Sequence, residues 1–140
     1  MNLFLRTLLA ALLVLAAQSI SQTASAQAKL TPGTWTNGLG GTVTIANISS
    51  AGQITGTYMV DAGCNPGKPQ PITGWYYDSG TGGGAITFSA NLASCLSTVS
   101  WSGQYEAKTA TFYTLWHLAA ASPPIWNGIV AGAHVFAPKK

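Results

Sequence analysis

The sequence predicts an all-β fold in which eight short strands follow one another along residues 27–140. Runs rich in β-branched and aromatic residues alternate with clusters of Gly, Pro, Ser and Asn, as expected for strands joined by turns. Apolar and polar residues alternate in several of these runs, and no helical periodicity is visible after residue 27. The pattern indicates an antiparallel up-and-down barrel or a sandwich.

The expected strands span residues 33–37, 42–46, 53–60, 71–78, 85–91, 96–105, 109–118 and 128–136. Turn sequences separate them, such as Ser49-Ser-Ala-Gly52 and the glycine-rich run 80–84. Alternation is clearest in two strands, where each set of residues should share one face: Ser97, Val99 and Trp101 in the first, and Thr114, Trp116 and Leu118 in the second.

The N-terminus has the features of a secretory signal peptide. One arginine, Arg6, precedes a short apolar run over residues 7–17, and Ala24-Ser-Ala26 supplies small residues for cleavage. The apolar run is too short to cross a bilayer, and no second segment is long enough. We therefore expect residues 1–26 to be removed, residues 27–140 to form one domain, and the protein to be secreted, either extracellular or periplasmic.

Charge and cysteine content exclude several functions. The segment 27–140 carries five lysines against two aspartates and one glutamate, and two of the lysines are at the C-terminal end, so it lacks the basic stripe of a nucleic-acid binder. Cys64 and Cys95 are the two cysteines of the chain, and an exported protein normally pairs them. No histidine or third cysteine stands at ligand spacing, so we expect no metal.

Three C-terminal segments carry tryptophan and suggest an aromatic pocket: Trp101-Ser-Gly-Gln-Tyr105, Leu115-Trp-His-Leu118 and Ile125-Trp-Asn-Gly-Ile129. From the residues alone, core packing explains Trp101 and Trp116 better than ligand contact does. Trp35 is expected in the core or at a barrel end.

Five sequence pieces resemble the avidins and streptavidins in order and approximate spacing. They are Gly33-Thr-Trp-Thr-Asn-Gly-Leu-Gly-Gly-Thr42, Ile54-Thr-Gly-Thr-Tyr58, Ile72-Thr-Gly74, Trp101-Ser-Gly-Gln-Tyr105 and Thr114-Leu-Trp116. Each piece alone is weak, but the five occur in register, and the match that they belong to extends over essentially the whole of residues 27–140. The resemblance implies an eight-stranded antiparallel up-and-down β-barrel that binds biotin at one end.

By this resemblance, biotin-contacting positions can be assigned residue by residue. Asn37 and Tyr58 would face the ureido oxygen, Trp101, Trp116 and Leu118 would form the apolar wall, and Ser97 would lie near the carboxylate. Trp126 matches a tryptophan that a neighbouring subunit contributes. The full set is Asn37, Leu39, Gly41, Tyr58, Val60, Leu92, Ser97, Val99, Trp101, Trp116, Leu118, Trp126 and His134.

Several of these positions depart from the family pattern. Gly41 replaces a serine of the ureido-oxygen trio, Val60 replaces a hydroxyl residue that accepts from a ureido nitrogen, and Val99 replaces a threonine beside the ring sulfur. His134 stands where an Asp or Asn accepts from the other nitrogen, and a neutral imidazole of the correct tautomer can replace that acceptor. An unpaired buried polar group costs ~1–3 kcal/mol, so these losses predict weakened biotin binding.

The resemblance also bears on the cysteines and on oligomerisation. A bridge like Cys64–Cys95 occurs in short dimeric bacterial avidins, where it preorganises loops over the pocket mouth. Those dimers typically lack a tryptophan corresponding to Trp126. We expect a homo-oligomer and favour a dimer over a tetramer.

Three functional hypotheses follow. The first is a secreted, non-catalytic biotin-binding protein that needs no cofactor. The second is an avidin-fold module with weakened biotin affinity or a changed small-molecule ligand. The third, a small exported enzyme, is disfavoured because residues 27–140 hold only three carboxylates and no nucleophile–base set.

Overall fold

A computed structural model describes residues 29–122 and 124–140, which form a closed barrel of eight antiparallel strands in sequence order. The strands are β1 (Gly33–Thr36), β2 (Gly41–Ile48), β3 (Gln53–Val60), β4 (Gln70–Asp78), β5 (Gly83–Leu92), β6 (Ser97–Glu106), β7 (Thr111–Ala120) and β8 (Ile129–Pro138). Short 3-10 turns at Ala93–Cys95 and Ile125–Gly128 lead into β6 and β8. The predicted barrel is confirmed, and the predicted signal peptide lies outside the described residues.

Every strand pairs with its neighbours in sequence, and β1 closes the barrel against β8 through Trp35↔Pro138 and Thr36↔Ala137. The connections therefore fall alternately at two ends. The loops 37–40, 61–69 and 93–96 and the described part of the loop after β7 (121–122 and 124–128) lie at one end. The tighter turns after β2, β4 and β6 lie at the other.

Alternate residues of each strand fill the interior, which explains the period-two pattern of the sequence. In β5, for example, Ile86, Phe88, Ala90 and Leu92 are buried while the residues between them are exposed. Trp35 is buried at the tight-turn end, where its Nε1 donates to the Ala110 carbonyl over 2.7 Å.

Within residues 29–122 and 124–140, no helix is long and apolar enough to cross a membrane. The same part of the chain contains no group of three or more His, Cys, Asp or Glu side chains placed to hold a metal ion.

Candidate ligand-binding site

A cavity of about 210 Å³ opens at the end of the barrel that carries the longer loops. Aromatic and aliphatic side chains form most of its wall. The lining residues are Tyr58, Val60, Ala62, Cys64, Leu92, Val99, Trp101, Trp116, Leu118 and His134. Five strands and the loop after β3 contribute to it, so closure of the barrel is what creates the cavity.

Trp101 belongs to this wall and contacts three other side chains. Its ring stacks on Phe88 at a centroid distance of 4.9 Å and contacts Tyr58 at 4.6 Å. Its Nε1 donates to His134 Nδ1 over 3.3 Å. Trp101 is 2% exposed, so the ring is fixed before any ligand arrives.

His134 lies between aromatic rings on the inner side of β8. Its ring centroid is 5.4 Å from Trp116 and 5.6 Å from Phe136, the latter in an edge-on arrangement. Thr114 Oγ1 donates to the His134 carbonyl over 3.0 Å and fixes the backbone there. Burial lowers the pKa of His134 below its ordinary value, because the charged imidazolium is poorly solvated in this setting.

Tyr58 offers a hydroxyl to an otherwise apolar wall. Desolvation by burial raises the pKa of Tyr58, so the phenol stays protonated and can donate a hydrogen bond. Neither a carboxylate nor a lysine lines the cavity among the described residues, so a charged group buried there would find no side chain of opposite charge.

The loop after β1 is organised by Asn37. Its Oδ1 accepts from the backbone N–H groups of Leu39 (2.9 Å) and Gly41 (2.8 Å), and its own N–H donates to the Gly41 carbonyl. Leu39 is 80% exposed. The structure thus places Asn37, Leu39 and Gly41 beside the cavity end but outside its lining.

Of the thirteen positions assigned from the family resemblance, eight line the cavity. They are Tyr58, Val60, Leu92, Val99, Trp101, Trp116, Leu118 and His134. Ser97 lies instead on a surface groove with Leu96 and Ala119. Trp126 projects from the turn before β8 and is 81% exposed, so within one chain it contacts no ligand site. The sequence-based set missed Ala62, and it named Cys64 only as a disulfide partner.

A disulfide joins the two loops at the cavity mouth. Cys64 and Cys95 are bonded with a Cα–Cα distance of 5.9 Å, as the sequence predicts. Asn65 Nδ2 donates to Ser94 Oγ beside the bridge, so a polar contact reinforces it. Because Cys64 lines the cavity, the bridge fixes part of the ligand-binding surface itself.

Together these elements form a closed eight-stranded β-barrel with an aromatic-lined cavity at its loop end, an architecture that in other proteins holds one small ligand. Residues 25–139 match the model of the Avidin family, and the chain belongs to that family.

Solved structures of similar proteins agree with this assignment. Core-bradavidin is 44% identical, with 78% of this chain and 100% of that chain covered and a TM-score of 0.70. Apo shwanavidin is 30% identical, with 81% and 100% covered and a TM-score of 0.68. A shwanavidin variant solved as a biotin complex is 30% identical, with 80% and 100% covered and a TM-score of 0.65.

Proposed function

We propose that this protein binds biotin non-covalently in the end cavity and catalyses no reaction. The observation that carries the proposal is the convergence of Tyr58, Trp101 and Trp116 on one cavity at the loop end of an avidin-family barrel. The similar structure of a shwanavidin variant in complex with biotin supports the choice of ligand.

The size and polarity of the cavity suit the compact ring system of biotin. A volume of about 210 Å³ is below the ~300–1,000 Å³ of pockets for drug-sized ligands, so a small bicyclic head fits inside with its chain toward the mouth. Trp101 and Trp116 would exclude water from the rings. The Tyr58 hydroxyl would donate to the ureido carbonyl. Asn37 lies beside the cavity end rather than in its lining, with its Oδ1 held by the loop backbone, and its Nδ2 would be a second donor to a carbonyl that reaches this end.

Weakened biotin affinity, or a changed ligand, is the second candidate function. Val60 and Val99 line the cavity with apolar groups, so Val60 cannot accept a hydrogen bond from a ureido N–H and Val99 offers no hydroxyl to the ring sulfur. Each ureido N–H left unpaired on binding would cost ~1–3 kcal/mol. We therefore expect most of the biotin affinity to come from burial of the ligand against aromatic side chains.

Calorimetric titration of two tryptophan variants with biotin tests the proposal. Trp116→Ala removes a cavity wall, whereas the matched control Trp75→Ala removes an indole from the exposed face of β4. We expect near one biotin per chain for the wild type and the control, and at least tenfold weaker binding for Trp116→Ala. Equal affinities for the two variants would place biotin elsewhere, and no heat with the wild type would favour a changed ligand.

We further propose that the protein is exported after removal of residues 1–26. The Cys64–Cys95 disulfide supports this, because such bonds persist in oxidising compartments. The intact mass of the protein purified from a secreting host tests it: the mass should correspond to a chain beginning near Gln27.

We propose that the protein self-associates through the outer faces of β7 and β8. Tyr113 and Leu115 on β7 pair in register with Val135 and Ala133 on β8, and all four side chains are exposed. The outer face of β6, by contrast, carries Thr, Ser, Gln and Glu side chains. An apolar patch on one side of the barrel is typical of a subunit interface, so we expect a homo-oligomer, measurable by light scattering after size exclusion.

A further inference from the structure

The hydrogen bond between Trp101 and His134 determines which imidazole nitrogen of His134 carries a proton. An indole N–H can only donate, so His134 Nδ1, 3.3 Å from Trp101 Nε1, must be the acceptor. An accepting nitrogen has a free lone pair and no hydrogen. The proton of a neutral His134 is therefore on Nε2.

His134 is neutral near pH 7 because its burial lowers its pKa. Nε2 makes no hydrogen bond among the described residues, and it is absent from the fully buried polar atoms that lack a partner. His134 also lines the cavity. The Nε2–H of His134 is thus an unpaired donor that is not fully buried, on a residue that lines the cavity.

The other cavity-lining groups make this donor important. Val60, Val99, Leu92, Leu118 and Ala62 contribute no polar side-chain atoms. Tyr58 provides a hydroxyl, the Trp101 N–H is already used, and the Trp116 N–H is buried without a partner in the described chain. No amide or carboxylate oxygen lines the cavity among the described residues, so hydrogen-bond donors dominate it.

We propose that His134, held by Trp101 as the Nε2–H tautomer, is a donor that makes this site prefer ligands with an acceptor at the position facing it. The ligand part of this inference rests on the proposed biotin-type function, whereas the tautomer does not. A ureido ring presents one acceptor, its carbonyl oxygen, and two N–H donors. By the family resemblance, position 134 faces a ureido N–H of biotin. The Nε2–H of His134 and that ureido N–H would then be two donors facing each other, with no acceptor between them. The preferred ligand class is a biotin-like bicycle in which an acceptor atom, such as a ring oxygen, replaces that N–H.

Long-range ¹H–¹⁵N NMR of the ligand-free protein at pH 7 tests the tautomer directly. The chain has only two histidines, and the exposed His117 serves as the internal reference. For His134 we expect an unprotonated Nδ1 and a protonated Nε2. A protonated Nδ1 would overturn the proposal without bearing on whether biotin binds.

Calorimetry with three ligands tests the preference. Biotin is compared with the two cyclic carbamates in which one or the other ureido N–H is replaced by oxygen. We expect one carbamate to bind the wild type at least tenfold tighter than biotin does, and His134→Asn, which restores an amide oxygen, to reduce this ratio at least tenfold. The control His117→Asn should leave the ratio unchanged.

A ratio that His134→Asn does not alter would overturn the proposal even if biotin binds tightly. If neither biotin nor a carbamate binds the wild type, the proposed function fails, and the NMR result alone decides where the donor lies.

Discussion

The indole of Trp116 occupies the space that a side chain on Gly132 would fill. A β-carbon at position 132 would lie 2.8 Å from Trp116 Cζ2 and 2.9 Å from Cε2 and Nε1. The two residues are register partners on β7 and β8. Because Gly132 has no side chain, the Trp116 indole can lie over it and line the cavity. Gly132 is in this sense a positioning residue for the ligand wall, although it contacts no ligand itself.

Gly132→Ala should therefore displace Trp116 and weaken biotin binding by about tenfold or more, equivalent to ~1.4 kcal/mol. Isothermal titration gives the affinity, and tryptophan fluorescence reports the displaced ring. Ala131→Ser, on the exposed side of the same strand, is the control. Unchanged affinity for Gly132→Ala would mean that Trp116 does not depend on this clearance.

Restoring the family's serine at position 41 should not by itself improve the site. A β-carbon on Gly41 would lie 2.7 Å from Asn37 Nδ2 and 3.0 Å from Asn37 Cγ. Gly41→Ser should shift the Asn37 amide and disturb the hydrogen bonds that its Oδ1 accepts from the Leu39 and Gly41 backbone, which we expect to cost ~1–2 kcal/mol of stability.

Urea unfolding of Gly41→Ser, Asn37→Ala and the double variant measures this coupling. Because the clash requires both side chains, the loss in the double variant should be smaller than the sum of the single losses. Strict additivity would show that residues 37 and 41 do not compete for the same space.

Stability should rise with pH through the titration of His134. Burial lowers the pKa of His134 in the folded protein, so between that value and the ordinary ~6.5 the unfolded chain binds more protons. The contribution of His134 to the free energy of unfolding is then complete above about pH 6.5 and falls as pH decreases through this window. Protonation of Nδ1 also breaks the hydrogen bond that Trp101 donates to it.

Melting temperatures of the wild type and His134→Phe between pH 4 and 8 test this dependence. The other titratable side chain lining the cavity, Tyr58, has a raised pKa and does not titrate in acid. The melting temperature of His134→Phe should depend less on pH than that of the wild type. An identical pH dependence in both proteins would assign the effect to other groups, and His117→Phe provides the control for the exposed histidine.

The Cys64–Cys95 bridge should stabilise both the barrel and the ligand site. It closes a loop of 31 residues, for which the chain-entropy model gives ~3–4 kcal/mol. The double variant Cys64→Ser/Cys95→Ser should lose about this much without ligand, and more with biotin bound, because Cys64 also lines the cavity. Equal losses in the presence and absence of biotin would argue that the bridge stabilises the fold alone.

Much of this architecture follows from local sequence pattern. The sequence predicts β3 with its observed bounds. Of the set Ser97, Val99 and Trp101, the last two are buried and Ser97 is partly exposed, because alternation records which face of a strand meets the core. The 3-10 turns at Ala93–Cys95 and Ile125–Gly128 escaped prediction because three or four residues are too few to show a helical period.

The details of the site depend on contacts that sequence pattern does not encode. Trp101 and His134 lie on β6 and β8, which are separated by β7, so their hydrogen bond joins two strands that are not paired with each other. The sequence raised the possibility that His134 accepts from the ligand. In the structure its Nδ1 already accepts from Trp101, and this changes the expected chemistry of the position.

Thermal unfolding of the purified protein with increasing biotin tests most directly whether biotin occupies the end cavity. A ligand at about 100 times its dissociation constant stabilises the folded state by ~2.7 kcal/mol, which for a domain of this size raises the melting temperature by roughly 10 °C. We expect a rise of this order at saturating biotin, with a much smaller rise for Trp116→Ala at the same concentration. No change in the wild-type melting temperature at millimolar biotin would contradict the claim and leave an avidin-family barrel with a different ligand.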